Sequence, residues 1–452
     1  MRTASDFVQA RPEPASTPYA GMALLVVVYL FTMLPSGLSW DYQRTPDMIE
    51  GSWAVRLQWM PLFLAGGLMA WRFGWRNWVY HLRMNPLLWL MLGYCTLSMT
   101  WSALPTVTLK RVVQLSGLMA IAIAIVDTSR PTTLQWVRVT LFTMLALLAA
   151  SVVVAVALPD IGQETIAELA GSWRGVLDQK NGLGMVAAMA ALFGLIHHRM
   201  QPFRLMPLIL GMGLVLLCLV MARSSTSMTV AAVGAAVYLL LRRDHVQSPL
   251  WLQRTVVVVL ALGLVAYQLF FTIHSRPPLW SEIISPVAGL FGKSSDLTGR
   301  TDIWDYMWPV IEQHWLQGIG YGAFWLGPGS PSQVILDQFY WVPYQSHNGY
   351  IDVINELGVI GLLLFVALLA LHLRNLWRLM RIDRESMALH AALLVIVLFT
   401  NVTESSIYRG VVFLHVMFLL SCFKVNHQIW WGTRDSPTEP AADHPPLNGT
   451  FA

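Results

Sequence analysis

The chain has 452 residues, 56% of them hydrophobic and only 12% charged. A soluble globular protein carries about 25% charged residues, so this composition excludes a string of soluble domains and points to an integral membrane protein. The formal net charge of +4 comes from cations scattered between apolar runs; no basic block marks a nucleic-acid partner, and the placement reads as a topology signal.

The first 18 residues are polar and proline-containing. A signal peptide would place its apolar region nearer the start, so this segment is expected to be a retained cytoplasmic tail. Runs of about 20 apolar residues, enough to cross roughly 30 Å of hydrocarbon, follow near 19–36, 57–74, 86–103, 112–128, 136–158, 182–198, 204–222, 225–242, 253–273, 349–373, 386–402 and 409–424. The expectation is an all-α polytopic membrane protein with about twelve transmembrane helices, nine within 19–273 and three within 349–424. Cys95, Cys218 and Cys422 each fall inside an apolar run without metal-ligand spacing and read as core residues.

With a cytoplasmic N-terminus, the tails and alternate loops on that side hold 18 of the 29 Lys and Arg residues. The other side holds 11, with 16 of the 25 acidic residues. The positive-inside bias therefore places both termini in the cytoplasm. Residues 274–348 form a loop on the far side too long for a passive connection. Its middle, TGRTDIWDYMWPVIEQHWLQG, carries Ile303, Met307, Val310, Ile311 and Trp315 at helical spacing. Thr301 is placed to cap the start of that helix and Gly318 to end it. Residues 425–452, rich in Pro, Asp and small side chains toward the end, are expected to be a disordered cytoplasmic tail.

Unusual polar residues gather on the far side: Arg174, Lys180 and Asn181 in GSWRGVLDQKNGLG, Arg223 and Thr226 in MARSSTSMT, Arg300 in TGRTDIW, and His347 in QSHNGY. Arginine presents a two-pronged fork to phosphate, and a histidine near neutral pKa can take a proton from a hydroxyl. Plainer readings stand beside these. Arg174 caps a loop, Lys180 and Arg223 anchor span edges, and the Ser/Thr cluster glues helices. On the same footing, Arg300 pairs with Asp302 or Asp305, and His347 caps a helix. Asn348, Asp352 and Glu356 recur every four residues and share one helical face. Two carboxylates one turn apart repel unless one is protonated or both meet polar surroundings, so a helix lining a polar cavity with His347 at its mouth is expected.

The pair TGRTDIWDYMWPVIEQHWLQGIGYGAFW and SHNGYIDVINELGVIGLLLF, preceded by RGVLDQKNGLG, resembles the O-antigen ligase/polymerase superfamily, the last segment resembling its exopolysaccharide-polymerisation branch. The resemblance runs from about 171 to 365. It implies a GT-C-type inverting glycosyltransferase of the bacterial inner membrane, working on the periplasmic face without metal or cofactor. The donor would be an undecaprenyl-diphosphate-linked oligosaccharide, with a chain-length regulator or export machinery as further partners. By motif, His347 becomes the catalytic base and Arg300 a catalytic diphosphate ligand. Arg174, Lys180, Asn181, Arg223, Thr226, Asn348, Asp352 and Glu356 become candidates for diphosphate or glycan binding. Ligase-type members carry a serine-arginine pair where this chain reads ARSSTSMT; this departure favours exopolysaccharide polymerisation over lipid A-core ligation. A lipid-linked sugar transporter or flippase is the alternative from another class, but it would place charges near the midplane in two related halves, and no repeat shows.

Overall fold

The structure is a computed structural model and describes residues 18–40, 49, 51–165, 169–242, 300–339 and 343–435. The expected N-terminal tail up to residue 17, the ninth span at 253–273, loop residues 274–299 and residues 436–452 lie outside that set. All regular structure among the described residues is helical.

In chain order the helices are α1 (Pro18–Met33), α2 (Trp53–Trp71), α3 (Trp75–Met84), α4 (Pro86–Leu97), α5 (Pro105–Ser129), α6 (Thr133–Ala157), α7 (Pro159–Gly162) and α8 (Lys180–Met200). They continue with α9 (Leu205–Met221), α10 (Ser225–Leu241), α11 (Arg300–Gln313), α12 (Gln333–Leu336), α13 (Gly349–Met380), α14 (Arg384–Thr400) and α15 (Phe413–Asp435). Each of the eleven expected spans that falls on described residues coincides with a helix. Four helices, α5, α6, α8 and α13, are long and apolar enough to cross a membrane, and α1, α4, α9 and α10 include shorter apolar stretches.

Local chemistry sets the boundaries. Pro86 and Pro105 open α4 and α5, where a missing N–H costs nothing. Thr132 and Gln135 close a capping box on α6, and Asp383 accepts from Ser386 N to cap α14. Helix α5 is buried on all sides from Leu118 to Ser129 and packs against α1, α2 and α15. It approaches α2 so closely that a Cβ at Gly66 would lie 2.6 Å from Ile121 Cγ1, the small-residue contact that brings membrane helices together. Cys95, Cys218 and Cys422 are buried and free.

Several expectations need correction. Helix α15 runs to Asp435, with Val425, Asn426 and His427 buried, so the segment after 424 begins as packed helix. Helix α11 is described from Arg300, and Thr301 lies within it. Gly318 does close this region, with φ of 74° and its N–H donating to His314 O. Ile303, Met307 and Ile311 pack with Phe324, Trp325 and Ile351 in a small separate core. Trp315 is 57% exposed, because the chain has left the helix before reaching it.

Helix α13 is two helical segments joined at Gly358, whose φ of 66° and ψ of −170° break the hydrogen-bond ladder. The freed groups are taken up by segment 315–320. Val359 N donates to Trp315 O at 2.8 Å and Ile319 N to Asn355 O at 3.0 Å, while Gly320 N donates to Glu356 O at 3.0 Å. Tyr94 Oη donates to Leu357 O at 3.1 Å. Irregular backbone at membrane depth is tolerated only when protein satisfies it in this way.

Candidate active site

The N-termini of α8, α10 and α13 meet Arg300 of α11 at one end of the bundle around the loop 401–412. The sequence NVTESSIYRG turns there between α14 and α15, and its Glu404 becomes a shared acceptor. Arg300 Nη2, from the start of α11, donates to Glu404 Oε1 at 3.0 Å, and Arg300 Nη1 donates to Thr403 O. Asn181 Nδ2, in the first turn of α8, donates to the same Oε1 at 3.0 Å. Gln345 Nε2 donates to Oε2 at 3.1 Å, and His347 Nδ1 lies 3.2 Å from Oε2. Thr226 Oγ1, in the first turn of α10, lies 3.5 Å from Thr403 Oγ1. The aligned peptide dipoles of these N-termini add positive potential to the Arg and Lys charges.

His347 Nδ1 also lies 3.2 Å from the amide donor Gln345 Nε2; the tautomer that donates to the Glu404 carboxylate is protonated at Nδ1 and carries its lone pair on Nε2. Burial alone pushes the Glu404 carboxyl up; the His347 hydrogen bond and the Arg300 charge more than reverse this and hold it below its ordinary value. His347 adopts φ of 56°, a left-handed conformation that costs a residue with a Cβ about 1–3 kcal/mol and clusters at functional sites. The surrounding chain maintains it. Ser346 N donates to Asp352 Oδ1 at 3.3 Å, Ser346 Oγ to Asn348 O at 2.8 Å, and Gly349 N to Asn401 O at 2.9 Å. Trp304 Nε1 donates to Ser346 O at 2.8 Å.

Lys180 and Arg223 extend the cationic rim. Lys180 Nζ lies 3.4 Å from Arg223 O, and Arg223 Nη1 donates to Ala170 O at 3.3 Å. Arg223 is exposed and also has positive φ, 46°. The structure thus brings Lys180, Asn181, Arg223, Thr226, Arg300 and His347 into one neighbourhood.

The other candidates have different surroundings. Arg174 is buried and bound into its own loop, with Nε donating to Ile161 O at 2.8 Å and Nη1 3.6 Å from Glu164 Oε2. Asn348 caps α13, its Oδ1 accepting from Tyr350 N and Ile351 N. Asp352 is buried beneath the His347 segment, accepting from Trp325 Nε1 at 2.7 Å and pairing with Arg409 at 3.3 Å. Glu356 accepts from Gly322 N at 2.9 Å. The expected cavity wall is therefore a framework: both carboxylates share a face, but the chain's own donors occupy them. Arg300 pairs with Glu404, and neither Asp302 nor Asp305 takes that place.

Glu404, Gln345 and Arg409 are the functional candidates that the motif reading passes over. A signal for two of them was present. NVTESSIYRG puts a carboxylate and an arginine in a short turn between apolar runs, on the expected side of His347.

Residues 210–366 match the family model described as O-antigen ligase. That stretch, about a third of the chain, is similar to O-antigen ligases. The matched stretch includes Arg223, Thr226, Arg300, His347, Asp352 and Glu356, while Glu404 and Arg409 lie beyond it. The exopolysaccharide production protein ExoQ of Rhizobium meliloti (strain 1021) is 36% identical over 109 residues, 23% of this chain. Only a quarter of that relative's length is covered. The apolar helices and the O-antigen ligase match together make this chain a membrane protein.

Proposed function

We propose that this chain is a twelve-span, GT-C-type inverting glycosyltransferase of the bacterial inner membrane, with cytoplasmic termini and the His347 rim facing the periplasm. It transfers undecaprenyl-diphosphate-linked oligosaccharide onto the hydroxyl of another such unit, as a polymerase in exopolysaccharide biosynthesis. The observation that carries this reading is the Glu404 carboxylate, which orients His347 on one oxygen and holds Arg300 on the other.

In this mechanism His347 Nε2 accepts the acceptor hydroxyl's proton as the oxygen attacks the anomeric carbon. The carbon–oxygen bond to diphosphate breaks on the opposite face, and its electron pair leaves on a phosphate oxygen. Lys180, Arg223, Arg300 and the helix N-termini stabilise negative charge where it develops, which contributes more than any other effect to the acceleration of most such reactions. Glu404 stabilises the imidazolium that forms, as a carboxylate behind a histidine does in other transferases and hydrolases. Asp352, Glu356 and Asn348 act by holding the His347 segment, and Arg174 by shaping the loop that presents Lys180.

The ExoQ similarity supports the polymerase over the lipid A-core ligase, which differs only in its acceptor. Reconstitution with purified undecaprenyl-diphosphate oligosaccharide tests the reading. Free lipid diphosphate together with longer lipid-linked glycan is the expected result. Transfer only to lipid A-core would make the chain a ligase, and lipid movement without bond exchange would make it a flippase.

A further inference from the structure

Helix α8 carries Lys180 at one end and His197 seventeen residues later, about 25 Å away along its axis. At that opposite end of the bundle, α6, α8 and the start of α9 border an open cleft of about 390 Å³ lined by Arg138, Phe142, His197, Gln201, Phe203 and Arg204. Nothing in the proposed reaction uses it.

Three independent features there suit an anion. Arg138 and Arg204 are exposed at its mouth; Arg138 donates to Gln201 Oε1 with one nitrogen, leaving the rest of its fork open. Helix α9, 17 residues long, begins at the cleft with Arg204 as its N-cap and no side chain capping its first amides, so its positive dipole end is unopposed. His197 is 4% exposed, its ring stacked on Phe203 at 4.3 Å and 15°. Neither of its ring nitrogens has a hydrogen-bond partner among the described residues. A buried, unpartnered polar ring lining a cleft is costly unless a ligand meets it.

We propose that this cleft holds the phosphate of an anionic phospholipid headgroup. The arginines and the α9 amides bind the phosphate oxygens, and His197 donates a further hydrogen bond. The source is a lipid because apolar side chains continue directly from the site. Leu205 (72% exposed), Met206 (67%) and Leu210 (66%) follow Arg204 on α9 and give acyl chains a surface to lie along. Basic pockets between helices at a membrane surface bind such headgroups.

The test uses the purified full chain in nanodiscs of phosphatidylcholine with or without phosphatidylglycerol, counting lipid retained after extraction by native mass spectrometry. Wild type is expected to retain phosphatidylglycerol in preference to phosphatidylcholine. The double variant Arg138→Gln/Arg204→Gln, altered only at exposed positions, should lose about tenfold or more of that retention, from about fivefold per arginine at a membrane surface. His197→Phe keeps the ring stack and removes both nitrogens, and it should also weaken retention. Unchanged retention in the double variant overturns the site. Equal thermal protection of wild type by inorganic phosphate and by phosphatidylglycerol overturns the lipid assignment.

Discussion

His347 Nδ1 and Glu404 Oε2 lie 3.2 Å apart, joining residues 57 positions distant through the turn between α14 and α15. The contact suits the imidazole tautomer protonated at Nδ1, and Arg300 on the other carboxylate oxygen holds the glutamate. An imidazole and a guanidinium are thus set relative to one another by a single carboxylate.

Replacing His347 with alanine should lower the rate of lipid-diphosphate release by about 10²–10⁴-fold, the usual worth of one placed base. The side chain is partly exposed and lies outside the buried apolar cores, so thermal stability should stay near wild type. Full glycan synthesis by this variant would remove the base assignment.

Glu404→Gln keeps the size of the side chain but replaces one acceptor oxygen by a donor. The expected result is a fall in kcat of about 10²-fold or more with KM little changed, as for loss of a base's orienting partner. Partial recovery of kcat in Glu404→Asp, which restores the carboxylate, separates this from simple misfolding.

Arg300→Lys retains charge and loses the planar fork that spans Thr403 O and Glu404. A point charge cannot serve the carboxylate and a phosphate together, so turnover should drop by at least about tenfold. Wild-type turnover would reduce Arg300 to a structural ion pair.

The depressed Glu404 carboxyl makes a directional statement about acid. Its folded pKa lies below its unfolded value, so its contribution to stability is present above the unfolded value, about 4.3. That contribution is lost as pH falls through the depressed folded value. Melting temperatures of detergent-purified protein should decline on acidification below about pH 4.3, and the decline should be shallower in Glu404→Gln. Identical slopes would show that other carboxyls dominate.

Gly318 and Gly358 are interlocked: a Cβ on Gly358 would sit 2.3 Å from Leu316 O, and one on Gly318 would sit 2.3 Å from the Glu356 carbonyl carbon. Both have positive φ. Alanine at either position should destabilise the protein by about 1–3 kcal/mol from backbone strain, with the clash adding to it. A wild-type melting temperature for Gly358→Ala would mean that the two segments do not interlock.

Helices were legible because their cause is local: apolar length, proline at first turns, and Thr, Asn or Asp at caps. Short motifs singled out His347 and Arg300, and the structure brings both to Glu404. Glu404 was not, because one carboxylate in a ten-residue turn looks like any solvated loop until α8, α11 and the His347 segment converge on it. The Asp352/Glu356 spacing correctly placed two carboxylates on one face. The partners that bond to them, Trp325, Arg409 and Gly322, come from two other loops that helical periodicity does not report. Arg174 misled for a related reason: burying a guanidinium against backbone carbonyls leaves the same sequence trace as aiming it at a ligand.

Membranes differ in thickness by a few Å, and long helices answer by tilting. In α13 a tilt of the lower segment, from Val359 to Met380, meets the interrupted ladder at Gly358 before it reaches His347. The upper segment is bonded to 315–320 and to the turn at Asn401. Val359, the first residue of the lower segment, is bonded to the same loop at Trp315 O, so a tilt of the helix reaches the His347 rim through segment 315–320 and not along an unbroken helical ladder.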